Sequence, residues 1–189
     1  MRTLEVRRHA ATKKGDQRGR GSHLSQAGID AARQLGNSIG PFAFVVASTV
    51  PRSSETALAM GFAADECVSM GGSHFEEASR EIAHHAWWEV PEPFALWKDH
   101  IGRGGPVAAL ARDQESLWRR VVKAVPQDGG ALVISHGGLI EPGLVACFPD
   151  LDYRTWGGPF HNLEGARLHF DRDRWADIEL LRLPNEHSP

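Results

Sequence analysis

Hydrophobic residues along this chain alternate between short unbroken runs and longer stretches in which an apolar side chain returns once per helical turn. Thr3 to Arg8, Phe42 to Ala47 and Ala131 to Ser135 are short and largely apolar, and each predicts a buried strand. Ser25 is suited to N-cap a helix running to about Ser38, with Ala27, Ala31, Leu35 and Ile39 on one face and Gly40-Pro41 as the stop. Pro51 suits a first helical turn and starts a second helix through Met60. A longer helix is predicted over Val107 to Val125, with Leu110, Leu117, Val121 and Val125 in one stripe. Strand and helix therefore alternate, which is the rhythm of an α/β fold. The tail differs: Leu163 to Phe170 and Ile178 to Leu183 read as two strands joined by the polar turn Asp171-Arg172-Asp173-Arg174. Lys13 to Ser22 reads as an exposed loop, and Gly71 to Pro106 as an irregular stretch rich in Trp and His.

Composition narrows the functional classes. With 189 residues, of which 41% are hydrophobic, residues 1–189 suit a single domain, in which 71–106 is expected to be an insertion covering the substrate. The formal net charge of -3, with Lys and Arg scattered, offers no basic stripe for nucleic acid. Cys67 and Cys147 are far apart and form no CxxC pair, which argues against a zinc cage or disulfide framework and suits a reduced cytoplasmic setting. No run approaches the ~20 apolar residues needed to cross a bilayer, so no membrane partner is expected. Val90 to Leu96 suits either a lid or an interface, which leaves the oligomeric state open.

The candidate chemistry sits where strands end. Val6-Arg7-Arg8-His9-Ala10 and Val133-Ile134-Ser135-His136-Gly137-Gly138 each finish an apolar run in a histidine followed by very small residues. Such a histidine is exposed at the carboxyl end of a sheet, where open α/β folds bind ligands. Ser48-Thr49-Val50-Pro51-Arg52 follows a third strand and brings an arginine to the equivalent position. One strand-end histidine is more often structural than catalytic, whereas two imidazoles with two arginines point to phosphate chemistry. The adjacent pair His84-His85 makes a poor metal site, because neighbouring side chains diverge. Trp87, Trp88, Trp97 and Trp118 suit either an aromatic substrate wall or packing, and Trp118 is read as packing. Arg18 and Arg20 lie in the loop after His9 and suit either contact with a charged substrate or the nonspecific exposure usual for loop arginines.

Together these blocks resemble the histidine phosphatase superfamily, the phosphoglycerate mutase-like group. Arg8-His9-Ala10 with Thr12 is similar to the family's Arg-His-Gly signature, Ser48, Arg52, Thr56 and Ala57 to its second arginine block, and Ser135-His136-Gly137 to its second histidine block. Ala10 departs from the usual glycine. The resemblance implies a three-layer α/β/α sandwich around a mostly parallel sheet. It implies His9 as a nucleophile that forms a phosphohistidine, Arg8, Arg52 and His136 as phosphate-binding groups, and His136 as a catalytic partner. It also implies a carboxylic acid after the second arginine block, for which Glu77 is favoured over Glu76 and Glu81. The same acidic doublet would suit an exposed helix start.

The activity expected on this basis is metal-independent hydrolysis of a phosphate monoester or a phosphohistidine, with no cofactor. A small phosphorylated metabolite is the first candidate substrate and a phosphoprotein the second. Two alternatives stand beside hydrolysis: phosphoryl transfer of the mutase type, and a phosphate-binding module without turnover. Gly36-Asn37-Ser38-Ile39-Gly40 matches the GxSxG of esterases, but Ser38 ends a helix instead of joining a strand to one, so an esterase is set aside.

Overall fold

Strand β4 (Gly130–Ser135) lies at the centre because its residues are apolar on both sides. Ala131 and Val133 enter one hydrophobic cluster, Leu132 and Ile134 enter another, and all four are fully buried. A strand without a polar face requires helices above and below it. A computed structural model describes residues 1–14, 22–82 and 86–184, and it supplies those layers. Six strands form one sheet in the order β3-β2-β4-β1-β5-β6, with β1 at Arg2–Arg8, β2 at Phe44–Ser48, β3 at Glu66–Val68, β5 at Gly165–Asp171 and β6 at Arg174–Leu181. The first four strands in this order are parallel, and β5 runs antiparallel to β1. A hairpin turns β5 into β6 with Arg172 and Asp173 at positive φ.

Helices α1 (Gln26–Gly36) and α2 (Pro51–Ala59) cover one face. The other face carries α3 (Phe75–Glu81), α4 (Pro93–Arg103), α5 (Gly105–Ala124) and α6 (Ile140–Cys147). The result is the three-layer, mostly parallel architecture expected. Among the described residues no helix is long and apolar enough to cross a membrane.

Several local expectations need correction. Helix α1 has its Ser25 cap, whose hydroxyl accepts the Gly28 N–H at 3.0 Å, but it buries Gly28 and Ala32 and leaves Ala27 and Ala31 exposed. A Cβ on Gly28 would lie 2.1 Å from the Ala11 carbonyl oxygen. Backbone packs on backbone there, so the smallest residue faces inward and the apolar stripe is offset by one position. The stretch 71–106 is not irregular, since α3, a 3-10 turn at Ala86–Glu89 and α4 occupy much of it. Within Val90 to Leu96, Pro93 and Phe94 are buried, Phe94 at 1% exposed among Tyr153, Trp156 and Phe160, whereas Pro91, Glu92 and Ala95 are exposed. Helix α6 has no amphipathic period because it is buried on nearly every side. Strand β3 has three residues, too few for an alternation to register. On α5, Trp118 joins the buried face and is fully covered, whereas Leu117 is half-buried.

Candidate active site

Parallel pairing of β1 with β4 sets Arg8 opposite Ser135, so the two strands deliver His9 and His136 side by side at their carboxyl ends. The imidazole centroids are 5.3 Å apart. They open into a cavity of about 710 Å³ whose wall also carries Arg8, Thr12, Ser48, Arg52, Glu76 and Trp88. Arg52 stands in the first turn of α2, which follows β2 directly. Three neighbouring parallel strands thus each contribute at their carboxyl end, as open α/β sheets do around a ligand crevice.

The tautomer of His9 is set by its hydrogen bonds. His9 Nδ1 lies 2.8 Å from the Ala10 carbonyl oxygen. A carbonyl only accepts, so Nδ1 carries the proton and Nε2 keeps its lone pair. The surrounding backbone is held from three directions. His9 N–H donates to the Ser135 carbonyl at 3.0 Å, Asn162 Nδ2 donates to the His9 carbonyl at 2.8 Å, and Ala10 N–H donates to Thr56 Oγ1 at 2.9 Å. Thr56 Oγ1 donates in turn to the Arg52 carbonyl at 2.6 Å, which ties the arginine-bearing turn to the histidine-bearing one. Ala10 is not among the described non-glycine residues at positive φ, so it occupies ordinary backbone space and needs no glycine.

Both imidazoles are held neutral. Burial lowers the His9 pKa to about 4, with Arg52 and Arg8 adding to the effect against the Ala10 hydrogen bond. Burial also lowers His136 to about 3, reinforced by Arg52, His9 and Arg8. Both ring nitrogens of His136 are buried without a hydrogen-bond partner among the described residues. Unsatisfied buried polar atoms of this kind mark a place where an incoming polar group is accommodated.

Arg8 is fixed on two sides. Its Nη1 donates to the Phe160 carbonyl at 2.7 Å, and its guanidinium lies 4.3 Å from the centre of the Trp88 ring. Behind it stands Glu141, a fully buried carboxyl absent from the sequence reading. Its Oε2 accepts the Gly138 N–H at 2.7 Å and its Oε1 the Phe160 N–H at 3.1 Å. Burial raises its pKa, opposed by those two bonds and by Arg8. Glu141 therefore joins the turn after His136 to the segment that accepts from Arg8. An acidic residue inside the apolar run Leu139 to Val145 was the signal that could have found it. Nothing local pointed to Asn162.

Arg7, next to Arg8, has a structural role: its Nε donates to Glu5 at 2.9 Å and Nη1 to the Leu163 carbonyl at 2.9 Å. The acidic candidates separate on α3. Glu76 and Glu77 are both exposed, but only Glu76 lies on the cavity wall, because consecutive helical residues point roughly 100° apart. The Glu81 carboxylate accepts the Val107 N–H at 3.3 Å and pairs with His100, bracing α3 against its neighbours. Trp87 and Trp88 line the cavity, whereas Trp97 is 2% exposed within the core. Arg18, Arg20, His84 and His85 lie outside the described residues. Among those described, no cluster of three His, Cys, Asp or Glu side chains is gathered to hold a metal ion. Ser38 is exposed beyond the end of α1, and its hydroxyl donates to the Leu35 carbonyl at 2.9 Å, far from an esterase elbow.

Comparison with known proteins agrees with this geometry. The family model for the histidine phosphatase superfamily, branch 1, matches residues 5–181. The chain belongs to that superfamily. It is a family of phosphatases and phosphoryl-transfer enzymes. Among solved structures, mycobacterial glucosyl-3-phosphoglycerate phosphatase with inorganic phosphate is 20% identical, with a TM-score of 0.64 over 96% of this chain and 97% of that one. Phosphoserine phosphatase from Entamoeba histolytica in complex with 3-phosphoglyceric acid is 15% identical, with a TM-score of 0.60 over 97% and 98%. The protein histidine phosphatase SixA with tungstate is 16% identical, with a TM-score of 0.54 over 95% and 96%. At these identities the likeness concerns the fold. A sequence search among curated proteins finds no match.

Proposed function

We propose that this histidine phosphatase hydrolyses a phosphate monoester in two steps through a phosphohistidine on His9, without a metal ion. The observation that carries the reading is the His9 tautomer, with Nδ1–H donated to a carbonyl and the Nε2 lone pair left for attack beside two guanidinium groups. In the first step Nε2 bonds to phosphorus as the bond from phosphorus to the ester oxygen breaks. Glu76 supplies a proton to the departing oxygen. In the second step water attacks the phosphohistidine, Glu76 recovers a proton from it, and the nitrogen–phosphorus bond breaks to return neutral His9. Arg8 and Arg52 neutralise the non-bridging oxygens and His136 donates to one of them, a task suited to preorganised forked donors. Splitting the transfer in two is the advantage of covalent catalysis.

The named neighbours support phosphoryl chemistry, and they span small phosphorylated acids and a protein phosphohistidine. A small phosphorylated metabolite suits the volume of this cavity. The test is phosphate release from p-nitrophenyl phosphate in excess chelator by the native protein and by His9→Ala. Turnover that survives chelation and is lost in the variant, with an acid-labile, alkali-stable phosphoryl group trapped on the native protein, is the expected result. Equal turnover by both proteins would remove His9 from the mechanism. Label passing to an added alcohol in preference to water would identify a transferase.

A further inference from the structure

Residues 156–164 join a 3-10 turn at Tyr153–Thr155 to β5, and the chain there follows neither helix nor strand. The inner side of this loop holds the end of β1 that carries Arg8 and His9. The Phe160 carbonyl accepts from Arg8 Nη1 at 2.7 Å, and Asn162 Nδ2 donates to the His9 carbonyl at 2.8 Å. Leu163 N–H donates to the Arg8 carbonyl at 3.0 Å, and Arg8 N–H donates to the Glu164 carbonyl at 2.8 Å. Leu163 stands at φ 67°, a conformation a leucine keeps only where its surroundings impose it. The path of the loop therefore sets where the Arg8 fork and the His9 backbone stand.

The outer side of the same loop converges on Arg182, the residue that follows β6. Its Nη2 donates to the Trp156 carbonyl at 2.7 Å and the Gly158 carbonyl at 2.6 Å. Its Nη1 donates to the Pro159 carbonyl at 3.1 Å and to Glu164 Oε2 at 2.9 Å. The guanidinium lies 4.2 Å from the centre of the Phe160 ring. Glu164, itself buried, also accepts the His161 N–H at 2.8 Å and the Leu183 N–H at 3.1 Å, so the chain is pinned on both sides of the arginine. A rigid planar fork can gather several carbonyls and stack on a ring at once, which a single ammonium cannot do. Phe160 is the shared member, since Arg182 lies on its ring and Arg8 bonds its carbonyl. From this arrangement we infer that Arg182 is a positioning residue for the phosphoryl site. It is not among the residues lining the cavity, and it acts by fixing the loop that aims Arg8 and braces His9. Its effect on turnover rests on the hydrolytic reading, whereas its effect on phosphate binding does not.

The test is a double-mutant cycle of Arg182→Met with Arg8→Lys, read by calorimetric titration with inorganic phosphate and by kcat/KM for p-nitrophenyl phosphate. Methionine keeps much of the aliphatic stem and removes the fork. Phosphate affinity and kcat/KM are both expected to fall by about 10-fold or more in Arg182→Met, because a displacement of about 1 Å at the reacting groups costs that much. In the Arg8→Lys background the same substitution should weaken phosphate binding by less than about threefold, since the fork it aims is gone and linked residues are not additive. Val121→Ala, fully buried on α5 and away from the cavity, lowers stability alone and should bind phosphate as the native protein does. Circular dichroism confirms that each variant is folded at the assay temperature. Arg182→Lys keeps the charge opposite Glu164 without the fork; it should bind phosphate at least about threefold more weakly than native, and it carries the same cycle if the methionine variant does not fold. Native phosphate affinity in Arg182→Met would overturn the inference, as would the same fold-loss in both backgrounds. Coupling in phosphate binding by a protein that releases no phosphate from the ester would sink the hydrolytic reading and keep this one.

Discussion

Glu141 gives the sharpest test of how the site is held. Its carboxylate accepts backbone N–H groups from Gly138 and Phe160 while fully buried, so Glu141→Ala leaves two buried donors without partners. At about 1–3 kcal/mol for each unsatisfied donor, the loss is about 2–6 kcal/mol, reduced by release from the burial of the carboxylate itself. Glu141→Gln keeps one acceptor and sets an amide N–H against the other donor, so its loss should be about half as large. The pH dependence has a definite sign. A carboxyl whose pKa is raised in the folded state favours folding most below its unfolded value of 4.5, and that contribution is lost as pH rises through the raised value. Glu141→Gln removes this slope. Urea denaturation from pH 4.5 to 8 measures both effects, with an unchanged m-value showing that the denatured state is not involved. Because Phe160 also accepts from Arg8, kcat/KM of Glu141→Gln should fall further than stability alone explains, with folded protein confirmed at the assay temperature. An alanine variant within about 0.5 kcal/mol of native, the scale of an ordinary surface substitution, would refute the reasoning.

Three further outcomes are expected. His9 and His136 have folded pKa values of about 4 and about 3 against 6.5, so stability is full above pH 6.5 and declines as pH falls. Each should have lost about 2.5 kcal/mol by pH 4.5, and denaturation midpoints of His9→Asn and His136→Asn should show correspondingly smaller acid losses. The same protonation should lower kcat/KM as pH falls through about 4. Arg8→Lys loses both the fork that reaches the Phe160 carbonyl and the flat face over Trp88, so kcat/KM should drop by about 10-fold or more; a drop of under twofold would show that only charge matters. Gly165→Ala would set a Cβ 1.9 Å from the Val6 carbonyl oxygen, in the pairing of β5 with β1, and should destabilise by about 3 kcal/mol in the same denaturation assay.

Much of the layout could be read directly from the chain. Strands β1, β2 and β4 are short apolar runs because they are covered on both faces, and the capped helix after Ser25 and the proline-initiated helix at Pro51 carry their start signals locally. That three strand ends each deliver a histidine or an arginine follows from the same runs. The carboxylates were harder to place: Glu76 and Glu77 are adjacent, and only the orientation of α3 brings one of them to the cavity wall.

The sequence by itself determined that this is an α/β protein with Arg8, His9 and His136 at strand ends and Arg52 in the helical turn that follows a strand, because local periodicity and turn chemistry act over a few residues. Tertiary structure alone decided what surrounds them. The sheet order puts β1 beside β4, although more than a hundred residues separate their histidines, and it is this pairing that sets the imidazoles 5.3 Å apart. Glu141 and Asn162 became part of the site only when α6 and the segment before β5 packed behind the cavity, and α1 turned Gly28 inward only because a backbone lay against it. Contacts between distant segments depend on which surfaces fit together, and no short window of sequence contains both partners.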